Sequence, residues 1–152
     1  MLFSITITSS DGEIIEIGKA DTPAEKNLIT NIDIHMDTVN NNVSNKSNAM
    51  LAKITIFGSI DEAINSEILK LFEWSKESHK EKWYRTLEIK IKIDESKPYR
   101  TYSFENVFVV DYNEHYKVES AQGDESATNA DKDHFELYLT QKENNFESIE
   151  AY

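Results

Sequence analysis

Residues 87–93 read LEIKIKI: Leu87, Ile89, Ile91 and Ile93 alternate without a fault with Glu88, Lys90 and Lys92. Successive side chains of a β-strand point to opposite faces, so this stretch has one buried side and one wet side. The same two-residue period recurs along most of the chain, and only one segment breaks it. Residues 2–8 place Phe3, Ile5 and Ile7 on one side. An Asp11-Gly12 step then signals a tight turn, since glycine accepts positive φ, and residues 13–17 return as the second arm of a hairpin. Residues 28–36 send Leu28, Thr30, Ile32, Ile34 and Met36 inward, and Asn31, Asp33 and His35 outward. Residues 51–57 form a further strand ending at Gly58. Residues 83–93 and 99–112 form a long hairpin, and residues 135–139, with a short piece in 146–152, close the set.

The exception has a helical period. Ile60, Ile64, Ile68, Leu71 and Phe72 fall on one stripe, which predicts an amphipathic helix over about residues 61–78. Ser59 is placed to act as its N-cap, with Glu62 three residues on to complete a capping box. Asp61 and Glu62 suit the positive end of the helix dipole, and Lys76, His79, Lys80 and Lys82 suit the negative end. The expected fold is therefore mainly β: a single domain over 1–152, a closed or nearly closed antiparallel β-barrel or a sandwich, carrying one helix. Closure would hide the strand edges that otherwise promote aggregation.

Two runs lie outside both periods. Residues 40–49 are rich in Asn and Ser and include Asn40, Asn42, Val43 and Lys46, while residues 119–133 are acidic and small. Neither can bury enough apolar surface to order itself, so both are expected to be mobile loops. The first is a candidate contact arm.

Composition narrows function. The chain has 152 residues and no cysteine, which removes disulfides and thiolate chemistry. Its net charge is −12, and the last third is the most one-sided: residues 98–152 hold 12 acids against 4 bases. Phosphate binding needs clustered Lys and Arg, so no nucleic-acid partner is expected. No apolar run approaches the roughly 18–20 residues that span a bilayer, so no membrane partner is expected. The start of the chain lacks the basic and apolar regions of a signal peptide, and synthesis in the cytoplasm is expected, with any export by another route.

The chemistry-bearing residues form no trusted motif. Asp33, His35 and Asp37 share one strand face at spacing two, an arrangement a hard metal can use, yet an outward polar face needs no metal to explain it. Asp111, Glu114 and His115 offer an acid, a base and an orienter, without any nucleophile elbow, zinc-protease motif, P-loop or dinucleotide fingerprint nearby. With only 4 glycines the chain has little scope for phosphate-cradling loops. No enzyme activity, cofactor or resident metal is expected. Tyr99, Tyr102, Phe104, Phe108, Tyr112 and Tyr116 crowd one hairpin and read as core plus interface, since aromatics are favoured where subunits meet. Trp74 lies off the strict helical stripe and is a candidate for a partly exposed anchor.

Three stretches carry a resemblance. LAKITIFGSI (51–60) leading into EILKLFEWS (67–75), YRTYSFENVFVVDYNEHY (99–116) and FELYLTQKE (135–143) resemble the tail-tube family: phage tail-tube proteins, the tube (hemolysin-coregulated) protein of type VI secretion and the tubes of related contractile injection systems. The resemblance implies a β-barrel protomer with a helix packed outside, six protomers to a ring, and rings stacked into a hollow tube inside a sheath. It implies a geometric role as conduit or piston, with sheath or baseplate proteins as further partners. Residues 119–133 have no place in the family pattern, which leaves room for a baseplate or hub role. Asn40, Asn42, Val43, Lys46, Trp74, Tyr112 and Tyr116 are the interface candidates. The competing reading is a monomeric acidic binding module, an immunity or adaptor protein for a basic partner.

Overall fold

A computed structural model describes residues 1–19, 23–38, 50–93, 98–118, 133–141 and 150–152. The strands are β1 (Leu2–Thr8), β2 (Ile14–Ile17), β3 (Ile29–Thr38), β4 (Met50–Ser59), β5 (Arg85–Lys92), β6 (Pro98–His115), β7 (His134–Gln141) and β8 (Glu150–Ala151). The α-helix, α1 (Asn65–Ser75), lies between β4 and β5. Every recorded pairing is antiparallel, and the strands form one sheet in the order β2-β1-β5-β6-β7-β4-β3, with β8 beside β6.

The alternation read from the sequence decides which side faces in. Ile5 and Ile7 of β1, Ile15 and Ile17 of β2, Ala52, Ile54 and Ile56 of β4, and Leu87 and Ile89 of β5 are buried in one core. Phe104 and Val107 of β6 and Phe135, Leu137 and Leu139 of β7 complete its sheet side. Residues from both ends of the strand order, β2 and the start of β3, border this one core, so the sheet curls around it. Among the described residues the pairing path stops at β2 and β3 without closing between them. Of the closed barrel, nearly closed barrel and sandwich expected, the described residues form a single curled sheet, which is the nearly closed form. No described helix is long and apolar enough to cross a membrane.

Glycine is required at Gly12 and Gly58, among other points. Gly12 turns the β1–β2 hairpin at φ 94°, a left-handed conformation that costs glycine little. Gly58 lets the Phe135 ring lie against the β4 backbone: a Cβ there would sit 2.5 Å from the ring and 2.9 Å from the Leu28 carbonyl oxygen. A third backbone special shapes β6, where Asn106 has φ 56° and the register against β5 shifts between Arg85 and Leu87. This bulge bends the 18-residue strand, and Gln141 Nε2 donates to the Glu105 carbonyl within it at 3.0 Å.

The helix corrects the sequence reading at both ends and in its phase. The capping side chain is Asp61, whose Oδ1 accepts the Ala63 N–H at 2.9 Å and caps the turn that leads into α1; Ile64 precedes α1 without a side-chain cap, and Ser59 is the last residue of β4. A 3-10 turn, Glu62–Ile64, precedes α1, and α1 stops at Ser75 instead of residue 78. Ser75 Oγ donates to the Phe72 carbonyl at 2.6 Å, and Trp83 Nε1 donates to the Glu77 carbonyl at 2.6 Å, drawing the chain out of the helix. The buried face is Ile64, Ile68, Leu71 and Trp74. Three residues along an α-helix turn back by about 60°, one residue turns on by about 100°. Trp74 therefore stays near the Leu71 row, and Phe72 leaves it.

Trp74 is accordingly no exposed anchor. It is 3% exposed, its Nε1 donates to the Trp83 carbonyl at 2.8 Å, and the Arg85 guanidinium lies 5.1 Å from its ring centre. Phe72, expected in the core, is 45% exposed. On β3, Met36 is likewise more open than expected, while Leu28 and Ile29 are buried where the strand begins.

Candidate functional site

The sheet presents two edges, and they differ in what covers them. On β2, residues 15 and 17 share the core side with their β1 partners, and the backbone of Ile14 and Glu16 turns away from β1. The helix meets it there: Glu67 Oε2 accepts the Glu16 N–H at 3.0 Å, and Lys70 Nζ donates to the Ile14 carbonyl at 3.2 Å. Lys70 and Glu67 also stand 3.8 Å apart as an ion pair one turn apart on α1. Two helix side chains thus occupy the donor and acceptor that a further strand would need.

On β3 the Ser59 N–H donates to the Leu28 carbonyl at 2.8 Å, and Ile29 lies opposite Gly58. A register shift between Ile29 and Asn31 then turns the backbone of Asn31, Asp33, His35 and Asp37 toward β4 and that of Ile32, Ile34 and Met36 outward. Among the described residues no strand and no side chain pairs with that outer side. It is a ten-residue edge, long for an unprotected one.

The end of β6 carries the other candidates. Register opposes Tyr112 to Leu137, Glu114 to Phe135 and His115 to His134. Tyr112 Oη donates to Glu114 Oε1 at 2.8 Å and Tyr116 Oη to Glu114 Oε2 at 3.0 Å, so two phenols grip one carboxylate. Burial, then the Glu114 carboxylate, pushes the Tyr112 phenol far above the ordinary tyrosine range. The same two causes, in the same order, raise Tyr116, which is largely exposed. Tyr112 packs against the core with its ring 6.4 Å from that of Phe135.

Glu114 and His115 leave β6 on opposite faces, so the acid, base and orienter of the sequence reading are not assembled. Asp111 Oδ1 accepts the Tyr112 N–H at 3.0 Å on the outer face. The β3 trio is also dispersed into ordinary pairs. Asp37 bonds Lys53 at 2.9 Å and Asp33 accepts from Asn31 at 3.0 Å. Asn40, Asn42, Val43 and Lys46 lie outside the described residues, as does the acidic run apart from its last member. That member, Asp133, accepts the Ile60 N–H on its carbonyl at 3.0 Å and the Lys117 N–H on Oδ1 at 2.9 Å.

A cluster the sequence reading missed stands on the outer face. His115 Nε2 and His134 Nε2 lie 3.3 and 3.4 Å from Glu136 Oε1. Their rings stack at 4.7 Å. Tyr138 Oη donates to Glu136 Oε2 at 2.8 Å, and this bond, with help from both imidazoles, holds the Glu136 carboxyl below the usual carboxylate range. The Tyr138 phenol is raised by the same bond. The one signal available in sequence was the His134-x-Glu136 spacing on an alternating strand; its partner His115 is supplied by register.

The chain is similar over 100% of its length to 98% of a tryptophan double mutant of the Hcp1 protein from E. coli, with 13% identity and a TM-score of 0.58. It is similar to a chain of the baseplate of the anti-feeding prophage, determined with six-fold symmetry: 11% identity, 99% and 91% of the two chains covered, TM-score 0.51. A chain of the sheath–tube complex of PVC, an extracellular contractile injection system, matches at 13% identity, 97% and 87% coverage and TM-score 0.51. No protein-family model matches the chain, and no curated protein matches it in sequence. At such low identity these likenesses speak for the fold. The fold that the three quoted stretches implied is the fold found.

Proposed function

We propose that the chain is a ring-forming structural subunit, of tube or baseplate, in a phage-tail-like contractile injection or secretion machine. The observation that carries this is a fold match running the whole length of the chain to Hcp1 and to chains of two injection-system assemblies. The unequal sheet edges support it. A closed ring joins unlike surfaces of neighbouring copies, and β3 offers one copy a backbone unpaired among the described residues while β2 is withheld. In this reading each chain is one domain, six copies make a ring, and rings stack. Sheath or baseplate proteins are the further partners, and the particle leaves the cytoplasm in which its subunits are made. Tyr116, Tyr112 and the segment with Asn40, Asn42, Val43 and Lys46 contribute to contacts between copies. The role is mechanical and needs no catalytic group.

Light scattering behind size exclusion, with negative-stain imaging, tests the proposal. Closed rings of about six copies, stacking at high protein concentration, are the expected result. A species that stays monomeric under all conditions overturns it. Stoichiometric recovery of one basic protein with that monomer would favour the adaptor reading instead.

A further inference from the structure

We propose that His115, His134 and Glu136 form a binding site for one divalent transition-metal ion of the zinc type. The site is independent of the tube reading. It is built by the ladder: His115 and His134 are direct cross-strand partners on β6 and β7, and Glu136 lies two residues along β7 on the same face. The three ligand atoms, one from each side chain, lie within 4.8 Å of one another. Zinc–nitrogen and zinc–oxygen bonds of about 2.0–2.1 Å in a tetrahedron place neighbouring ligand atoms about 3.3 Å apart. Two of the three edges, at 3.3 and 3.4 Å, already have that length. The third, between the two imidazole nitrogens, closes with small ring rotations because the rings already stack on one side of the sheet.

The surroundings fit the role. Tyr138 holds Glu136 by Oε2 and leaves Oε1, the oxygen both imidazoles approach, directed at the centre. An outer-shell hydrogen bond of this kind orients a metal-binding carboxylate. Two nitrogens and one oxygen favour Zn²⁺, Co²⁺ or Ni²⁺ over Ca²⁺ and Mg²⁺, which prefer all-oxygen sets. His115 is half exposed, so the fourth position opens to solvent and holds a water. A plain pair of histidine–glutamate contacts would explain the distances without a metal, and the experiment separates the two.

The full-length chain, stripped with EDTA and dialysed, is titrated with ZnCl₂ by calorimetry, and with CoCl₂ by visible absorption. One zinc per chain, an intense four-coordinate cobalt spectrum, and no binding of MgCl₂ are expected. His115→Ala and His134→Ala should each weaken zinc binding by far more than tenfold, and Tyr138→Phe by about tenfold, the usual effect of losing an outer-shell partner. His35→Ala, on another strand of the same face, should leave it unchanged. Both histidine variants remove outward side chains, and their melting curves without metal check that they fold. Zinc binding that survives in both variants, equal binding of magnesium, or no binding at all overturns the proposal.

Discussion

The two edges of this sheet face the same hazard and answer it differently. A bare strand edge recruits any other strand, and an isolated domain must cover it. At β2 the cover is chemical: one carboxylate and one ammonium from α1 satisfy the outward N–H of Glu16 and carbonyl of Ile14. At β3 the outward backbone of Ile32, Ile34 and Met36 has no such cover among the described residues. The contrast teaches that the helix does more than seal the core. It withholds β2, and withholding one edge favours ordered addition over sheet-to-sheet clumping.

The largest expected effect comes from blocking the open edge. Met36→Pro removes an outward donor at a half-exposed position and puts a ring in the path of an incoming strand. The variant should keep its circular dichroism and lose all rings in negative stain; unaltered rings would place the seam between copies elsewhere. Next comes the helix that guards the other edge. Leu71→Ala should cost about 2–5 kcal/mol by opening a cavity, whereas Phe72→Ala, on the exposed side, should cost under about 1 kcal/mol. Equal losses in denaturant titration would contradict the helix phase. Removing the guard itself is smaller: Glu67→Ala should cost about 1.5–3 kcal/mol, the range for hydrogen bonds to charged groups. It should also raise concentration-dependent, irregular self-association by freeing the Glu16 N–H. Light scattering that matches the unaltered protein would show that β2 needs no guard.

The smallest effect is confined to alkali. The folded state holds the Tyr112 proton more tightly than the unfolded chain does, so this group's contribution is fully present below the ordinary tyrosine pKa of 10.0. It is lost as pH rises above that value. Tyr112→Phe should melt less steeply than the unaltered protein between pH 10 and higher pH, and identical slopes would detach Tyr112 from alkaline unfolding.

Much of the fold was legible because strand alternation is a local property. Ile5, Ile7, Leu87, Ile89, Phe135 and Leu137 are buried as their period predicts. The helix was legible as an element but not in phase. A 3-10 turn at Glu62–Ile64 and the Asp61 cap shift its start, and a small angular shift exchanges Phe72 for Trp74 in the core. The covered edge was out of reach, since Glu67 and Lys70 act on backbone 51 and 56 residues away. So was the His115, His134 and Glu136 cluster: one partner comes from β6 and two from β7, and only the register of β6 against β7 brings them together.

The long strand β6 has a mechanical consequence. Its first half is bonded to β5 and β8, its second half to β7, with the Asn106 bulge between them. A pull along its axis loads both sets of hydrogen bonds side by side, in shear, so many must give way together. The strand acts as a tie rod between the two ends of the curled wall, and a subunit that is shoved or stretched keeps its outline until that rod fails.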